Sequence, residues 1–145
     1  MPLERITFRN TKLDLEFHPA PHLTTKSLTE VLHNDQLSVE KRILAAMGLS
    51  SRQRVAAGQS IDFPCVDFGA AQIVLFPGEA FVGYQLMAQK MRPESFVFSI
   101  GYGECWPGYV PTKAAFDDHF ADSWLWVAPG SEARMRAAME EVLGP

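Results

Sequence analysis

Gln72-Ile73-Val74-Leu75-Phe76, followed by Pro77-Gly78-Glu79-Ala80 and then Phe81-Val82-Gly83-Tyr84-Gln85, is the stretch whose reading decides the fold. Its first part is an apolar run of strand length. Its last part begins a helical pattern from Phe81 to about Lys90, with Phe81, Tyr84, Leu86, Met87 and Met91 as the apolar positions. Between the two, Pro-Gly turns the chain sharply. Glu79 thus falls at the end of a strand and on the first turn of a helix, where open α/β sheets bind ligands.

Upstream, Gln59 to Phe68 alternates apolar and polar residues, and Gly69 separates it from the central strand, which predicts a β-hairpin feeding the helix. Farther back, Ile6, Phe8, Leu13, Leu15 and Phe17 alternate around Asn10-Thr11, the pattern of two short strands or one long bent strand. His18-Pro19-Ala20-Pro21-His22 ends that sheet segment, because proline cannot donate to a ladder. Residues 1–22 therefore form N-terminal strands and a Pro-rich connector. Thr24 to Leu32 opens a helix, and Asp35 to Met47 makes a stronger one, with Ser38 as N-cap and Gly48 as its stop.

Downstream, Arg92-Pro93-Glu94 breaks the chain and Ser95 to Ile100 reads as a buried strand that returns parallel to the central one by a crossover. A Gly- and Pro-rich loop, Gly101 to Thr112, then carries Tyr102, Trp106 and Tyr109. Residues 130–144 form a closing helix with Ser131 as N-cap and Glu132 in its first turn. The fold class that results is α/β, a mixed β-sheet flanked by helices, in a single domain or domain fragment over residues 1–145.

The composition agrees: 145 residues, 47% of them hydrophobic, suffice for one core. With 13 Lys+Arg against 17 Asp+Glu and no basic cluster, a nucleic-acid partner is not expected. There is no apolar run of about 18 residues, the length a transmembrane helix requires. Met1-Pro2-Leu3-Glu4-Arg5 does not open a signal peptide, and the compartment stays open. Cys65 and Cys105 permit at most one intramolecular disulfide and match no zinc or redox spacing; buried free thiols are the simpler reading.

A parallel crossover places Glu79 and the Tyr102–Tyr109 loop on the same sheet edge, where a carboxylate and a phenol can both serve as oxygen ligands of a metal. Pro77-Gly78-Glu79, the helix and strand after it, and Gly108-Tyr109-Val110-Pro111-Thr112 ahead of an aromatic-acidic segment resemble the later part of the catalytic domain of neutral/alkaline, non-lysosomal ceramidases. They look closer still to the shorter bacterial relatives of that family. The resemblance runs from about Ile61 to Trp126, within a family-like core of residues 59–126.

The resemblance implies a zinc-dependent amidase in which two histidines, a glutamate and a tyrosine hold the metal, and a water it activates attacks an N-acyl amide. The glutamate falls on Glu79 and the tyrosine on Tyr109. Family relatives are often secreted or periplasmic. The family's two histidines lie in the earlier half of its domain, whereas this chain offers His18, His22, His33 and His119, with Pro19 and Pro21 keeping His18 and His22 off one helix face. A tyrosine that the ceramidases carry a dozen residues past the tyrosine ligand is also absent, with Phe120 and Ala121 in that region.

The chain is accordingly expected to be the C-terminal portion of a larger domain, silent without a missing N-terminal half, acting when intact on an N-acylated lipid or other small amide. Tyr102 and Trp106 are candidate pocket walls, and Glu104 and His119 candidate acid–base groups. Each has a plainer alternative. Glu79 can be a helix-start carboxylate favoured by the macrodipole, Tyr109, Tyr102 and Trp106 loop packing, and Glu104 and His119 solvated surface. In a second reading the chain is a non-enzymatic module whose aromatic loop, with Trp124 and Trp126, forms a binding or assembly surface. Self-association into a homo-oligomer that covers the surface left by the missing half is a third expectation.

Overall fold

In the computed structural model, residues 5–104 and 106–144 are described. The reading of Cys105 therefore lies outside the described residues, while Cys65 is a buried free thiol. The elements are β1 (Thr7–Leu13), a 3-10 turn (Pro21–Leu23), α1 (Thr25–Leu32), α2 (Val39–Ala56), β2 (Ile61–Asp67), β3 (Ala71–Leu75), β4 (Glu79–Ala80), α3 (Val82–Met91), β5 (Phe96–Ile100), β6 (Tyr109–Val110), α4 (Lys113–Asp117) and α5 (Ser131–Leu143).

The expected mixed α/β architecture is present. Four strands in the order β1-β2-β3-β5 form the main sheet, antiparallel except for the β3–β5 pair. The hairpin is β2–β3, and β1 runs unbroken through Asn10-Thr11, each of its residues paired with β2. One face of the sheet is buried beneath α3 and α5. There Phe63, Cys65, Val74 and Val97 pack with Tyr84, Ala88, Met135, Met139 and Val142. A smaller cluster joins Leu23, Leu28, Ala45 and Trp126, with α1 and α2 packed on each other.

Several local expectations give way to tertiary context. Gly48 does not stop α2, which continues to Ala56. Gly48 is buried inside the helix, where a Cβ would stand 3.3 Å from the Trp126 indole nitrogen, so the missing side chain serves close packing. Ser38 does cap α2, accepting from the Lys41 N–H. At α5 the N-cap is Gly130 and Ser131 is the first helical residue. β5 is buried on one face only: Val97 points inward while Phe96, Phe98 and Ile100 are exposed.

Candidate functional site

Pro77-Gly78 does turn the chain, but Glu79 is not on the first turn of a helix. Its backbone is extended in β4, and α3 begins only at Val82 behind Phe81 as N-cap. Tertiary hydrogen bonds decide this: the Glu79 N–H donates to Gly108 O (3.0 Å) and the Phe81 N–H to Val110 O (3.2 Å). These bonds make β4 and β6 a separate parallel pair in which Glu79 stands opposite Tyr109 and Ala80 opposite Val110.

Residues opposed in register project to the same face of a sheet. Glu79 and Tyr109, thirty positions apart, are therefore neighbours. Two glycines permit this approach. A Cβ on Gly78 (φ 54°) would lie 2.4 Å from Gly108 O, and one on Gly108 (φ 80°) would lie 1.9 Å from Trp124 O. On its other side, β6 is held by the Tyr109 N–H donating to Trp124 O (3.0 Å).

Tyr102 reaches the same carboxylate from the loop after β5. It has a left-handed backbone (φ 56°), uncommon for a bulky side chain. The bonds from Tyr102 N–H to Gly78 O (2.8 Å) and from Gly103 N–H to Phe76 O (2.8 Å) hold it there. Hydrogen bonding to Glu79, then burial and the charge of Glu79, raise the Tyr102 phenol above its ordinary pKa. For Tyr109, burial comes first, followed by the charges of Glu79 and Asp122, and the direction is again upward. Both phenols are thus neutral hydroxyls beside one carboxylate at neutral pH.

The aromatic rings divide into two groups. Phe81, Tyr109 and Phe120 meet edge to face, with centroids 4.9 to 6.2 Å apart. Tyr102, Trp106, Trp124 and Trp126 form a continuous series at 5.1, 5.1 and 6.3 Å. Behind Asp122 lies a cavity of about 380 Å³ whose walls include Leu23, Leu28, Leu44, Ala45 and Trp126.

Of the predicted residues, Glu79, Tyr109 and Tyr102 are brought together, and the Trp106 ring lies against Tyr102 at a tilt of 54°. Glu104 is directed elsewhere: its carboxylate accepts the Asp62 N–H at the edge of β2, in the field of Lys12. His119 is exposed in a left-handed turn (φ 59°) after α4, next to Phe120. Sequence reasoning did not single out Asp122, whose Oδ1 accepts the Trp124 N–H at 2.8 Å while its charge acts on Tyr109. The signal available for it was the Asp-Ser-Trp run, which suits an Asp turn closing on the backbone two residues on.

As a metal donor set these residues fit half of a site. Glu79 and Tyr109 supply two oxygen donors from paired strands, and structural or catalytic zinc asks for three or four ligands, usually with His or Cys among them. Among the described residues no group of three or more His, Cys, Asp and Glu is placed to hold a metal ion. Compared with known protein families, with curated proteins and with solved structures, the chain has no significant match.

Proposed function

We propose that this chain is the C-terminal part of a ceramidase-like, zinc-dependent amidohydrolase, to which it contributes Glu79 and Tyr109 as metal ligands. The register pairing of those two residues across β4–β6 is the observation that carries this reading. When bound, the cation would polarise the amide carbonyl and bring the pKa of a water to about 7. Glu79 provides the standing negative charge. Tyr102, held by its backbone bond to Gly78 O, keeps its neutral phenol beside that carboxylate. Tyr109 keeps its proton until a cation displaces it, because burial and two carboxylates disfavour its phenolate. The apolar cavity behind Asp122 suits the hydrocarbon portion of an N-acyl substrate; ligand pockets commonly span about 300–1,000 Å³.

Two oxygen donors do not hold zinc tightly, so the chain alone is weak in zinc and silent toward amides until imidazoles are supplied. Because Tyr109 must lose its proton to ligate, zinc affinity should rise with pH across the neutral and alkaline range. Competition against a chromophoric chelator measures this directly. We expect wild type to bind weakly and increasingly with pH, Glu79→Gln to lose at least tenfold in affinity, and Tyr109→Phe to lose the pH dependence. Equal zinc binding in all three, or unaided hydrolysis of an N-acyl amide by the chain, would refute the assignment.

The exposed Tyr102 and Trp106, in tilted contact in series with Trp124, favour one second reading, a non-enzymatic module that binds through these rings. In that case Trp106→Ala abolishes partner binding and the zinc experiments show nothing.

A further inference from the structure

We infer that the cavity behind Asp122 is a binding site for a small amphipathic carboxylate, which places its apolar body inside and its charged end at Lys41. The cavity lies between α1, α2 and the segment from Asp122 to Trp126. Its apolar wall includes Leu23, Leu28, Leu44, Ala45, Leu125 and Trp126, all but Leu44 buried. Leu23, Leu28, Ala45 and Trp126 make up the smaller of the two cores, so this core is built around a hollow. Protein interiors leave few voids larger than a water. An apolar recess of about 380 Å³ with a few polar groups at its edge has the form of a small-molecule pocket.

The polar groups select the end of the ligand. Lys41, in the first turn of α2, is exposed and makes no ion pair among the described residues. A lysine stem covers apolar surface while its ammonium stays in water, which suits the mouth of such a pocket. The exposed His22 ring and Ser123 hydroxyl add hydrogen-bond donors to the lining. Asp122 is the acid of the lining, and its Oδ1 already accepts the Trp124 N–H at 2.8 Å. Asp35, ahead of α2, is paired with Arg42 at 3.3 Å. With Lys41, His22 and Ser123 offering donors and Asp122 engaged by its own backbone turn, an anionic end is favoured over a cationic one.

The volume sets the size. At about 30 Å³ per non-hydrogen atom, a water's share of the liquid, the cavity takes about a dozen such atoms, which is a carboxylate with a chain of about ten carbons. Most of the lining comes from residues 22–45, upstream of the segment that resembles the ceramidases, and no metal ligand takes part. The assignment therefore goes beyond the zinc reading and does not rest on it.

NMR titration with decanoate in the presence of EDTA tests it, so that failure here and failure of the zinc assignment are separate results. Decanoate should move the Trp126 indole signal and leave that of Trp106 in place, with Kd on the order of 0.1 mM. Decylamine should bind at least fivefold more weakly, and butyrate, which leaves most of the hollow unfilled, at least tenfold. Lys41→Gln should weaken decanoate about fivefold, the scale of one exposed ion pair, without weakening decanol. Ala45→Leu should fill the cavity, abolish binding and leave thermal stability at or above wild type. If Ala45→Leu misfolds, Lys41→Gln, at an exposed position, decides together with the ligand series. No shift at Trp126, decylamine binding as tightly as decanoate, or undiminished decanoate affinity in either folded variant would overturn the proposal.

Discussion

Glu79 and the two phenols beside it show how a single charge organises its neighbours. For Tyr102 the hydrogen bond to Glu79 leads the upward shift, whereas for Tyr109 burial leads. Spectrophotometric titration at the tyrosinate band should therefore find Glu79→Gln returning Tyr102 most of the way toward the ordinary value of about 10, and Tyr109 only part of it. If the titration curves of wild type and Glu79→Gln coincide, the carboxylate is not where we place it. Gly108 carries the other residue-scale prediction. Alanine there meets both a positive φ and the Trp124 carbonyl, so Gly108→Ala should cost at least ~2 kcal/mol in denaturant unfolding and loosen Tyr109 from Glu79. A loss under about 0.5 kcal/mol, the usual range for neutral surface changes, would show that β6 can move aside.

Among the elements, the β3-α3-β5 unit depends on one side chain that propensity does not reveal. Gln89 Nε2 donates to Arg92 O (3.1 Å) and Ser95 O (2.8 Å), while its Oε1 accepts the Val97 N–H. It thereby closes the end of α3, shapes the turn into β5 and satisfies the outer strand's backbone. Gln89→Ala leaves those groups without partners, and we expect a loss of about 1–3 kcal/mol with faster amide exchange at Val97. Unchanged exchange there would mean that water replaces the amide fully. The strand–turn–helix–strand order, the hairpin and the span of the closing helix were legible in the sequence, because each rests on periodicity and on Gly or Pro punctuation. The start of α3 was not, because the bonds that keep Glu79 extended come from Gly108 and Val110, far along the chain. Nor was the length of α2, since Gly48 reads locally as a terminator and is buried for the sake of Trp126.

Across the whole molecule, the core closes on a phenol. Tyr84 is fully buried and donates to Pro111 O at 2.8 Å, tying α3 to the segment before α4. Burial pushes its pKa well above the ordinary value. Above a pH of about 10 the unfolded chain releases this proton and the folded one retains it, so the native state binds more protons and stability falls as pH rises. Tyr84→Phe should flatten that alkaline decline while lowering stability near neutrality; an identical alkaline slope in the variant would assign the decline to other groups. The far end of the core is fastened by two guanidiniums. Arg9 donates to Val142 O and Leu143 O (both 3.1 Å) and Arg92 to Leu143 O and Gly144 O (both 2.8 Å), which satisfies the carbonyls at the α5 C-terminus.

Local chemistry written into the sequence was enough for the α/β class, the β2–β3 hairpin and the parallel return of β5, since alternation, helical spacing and turn residues act over a few positions. Only the tertiary structure decided that Glu79 lies in a strand opposite Tyr109, that Tyr102 and Asp122 share its field, that Glu104 turns to β2, and that Phe8, Phe96 and Phe98 stay exposed on one face of the sheet. Those outcomes depend on which backbone groups far apart in the chain satisfy one another, and such pairings are selected by the packed whole.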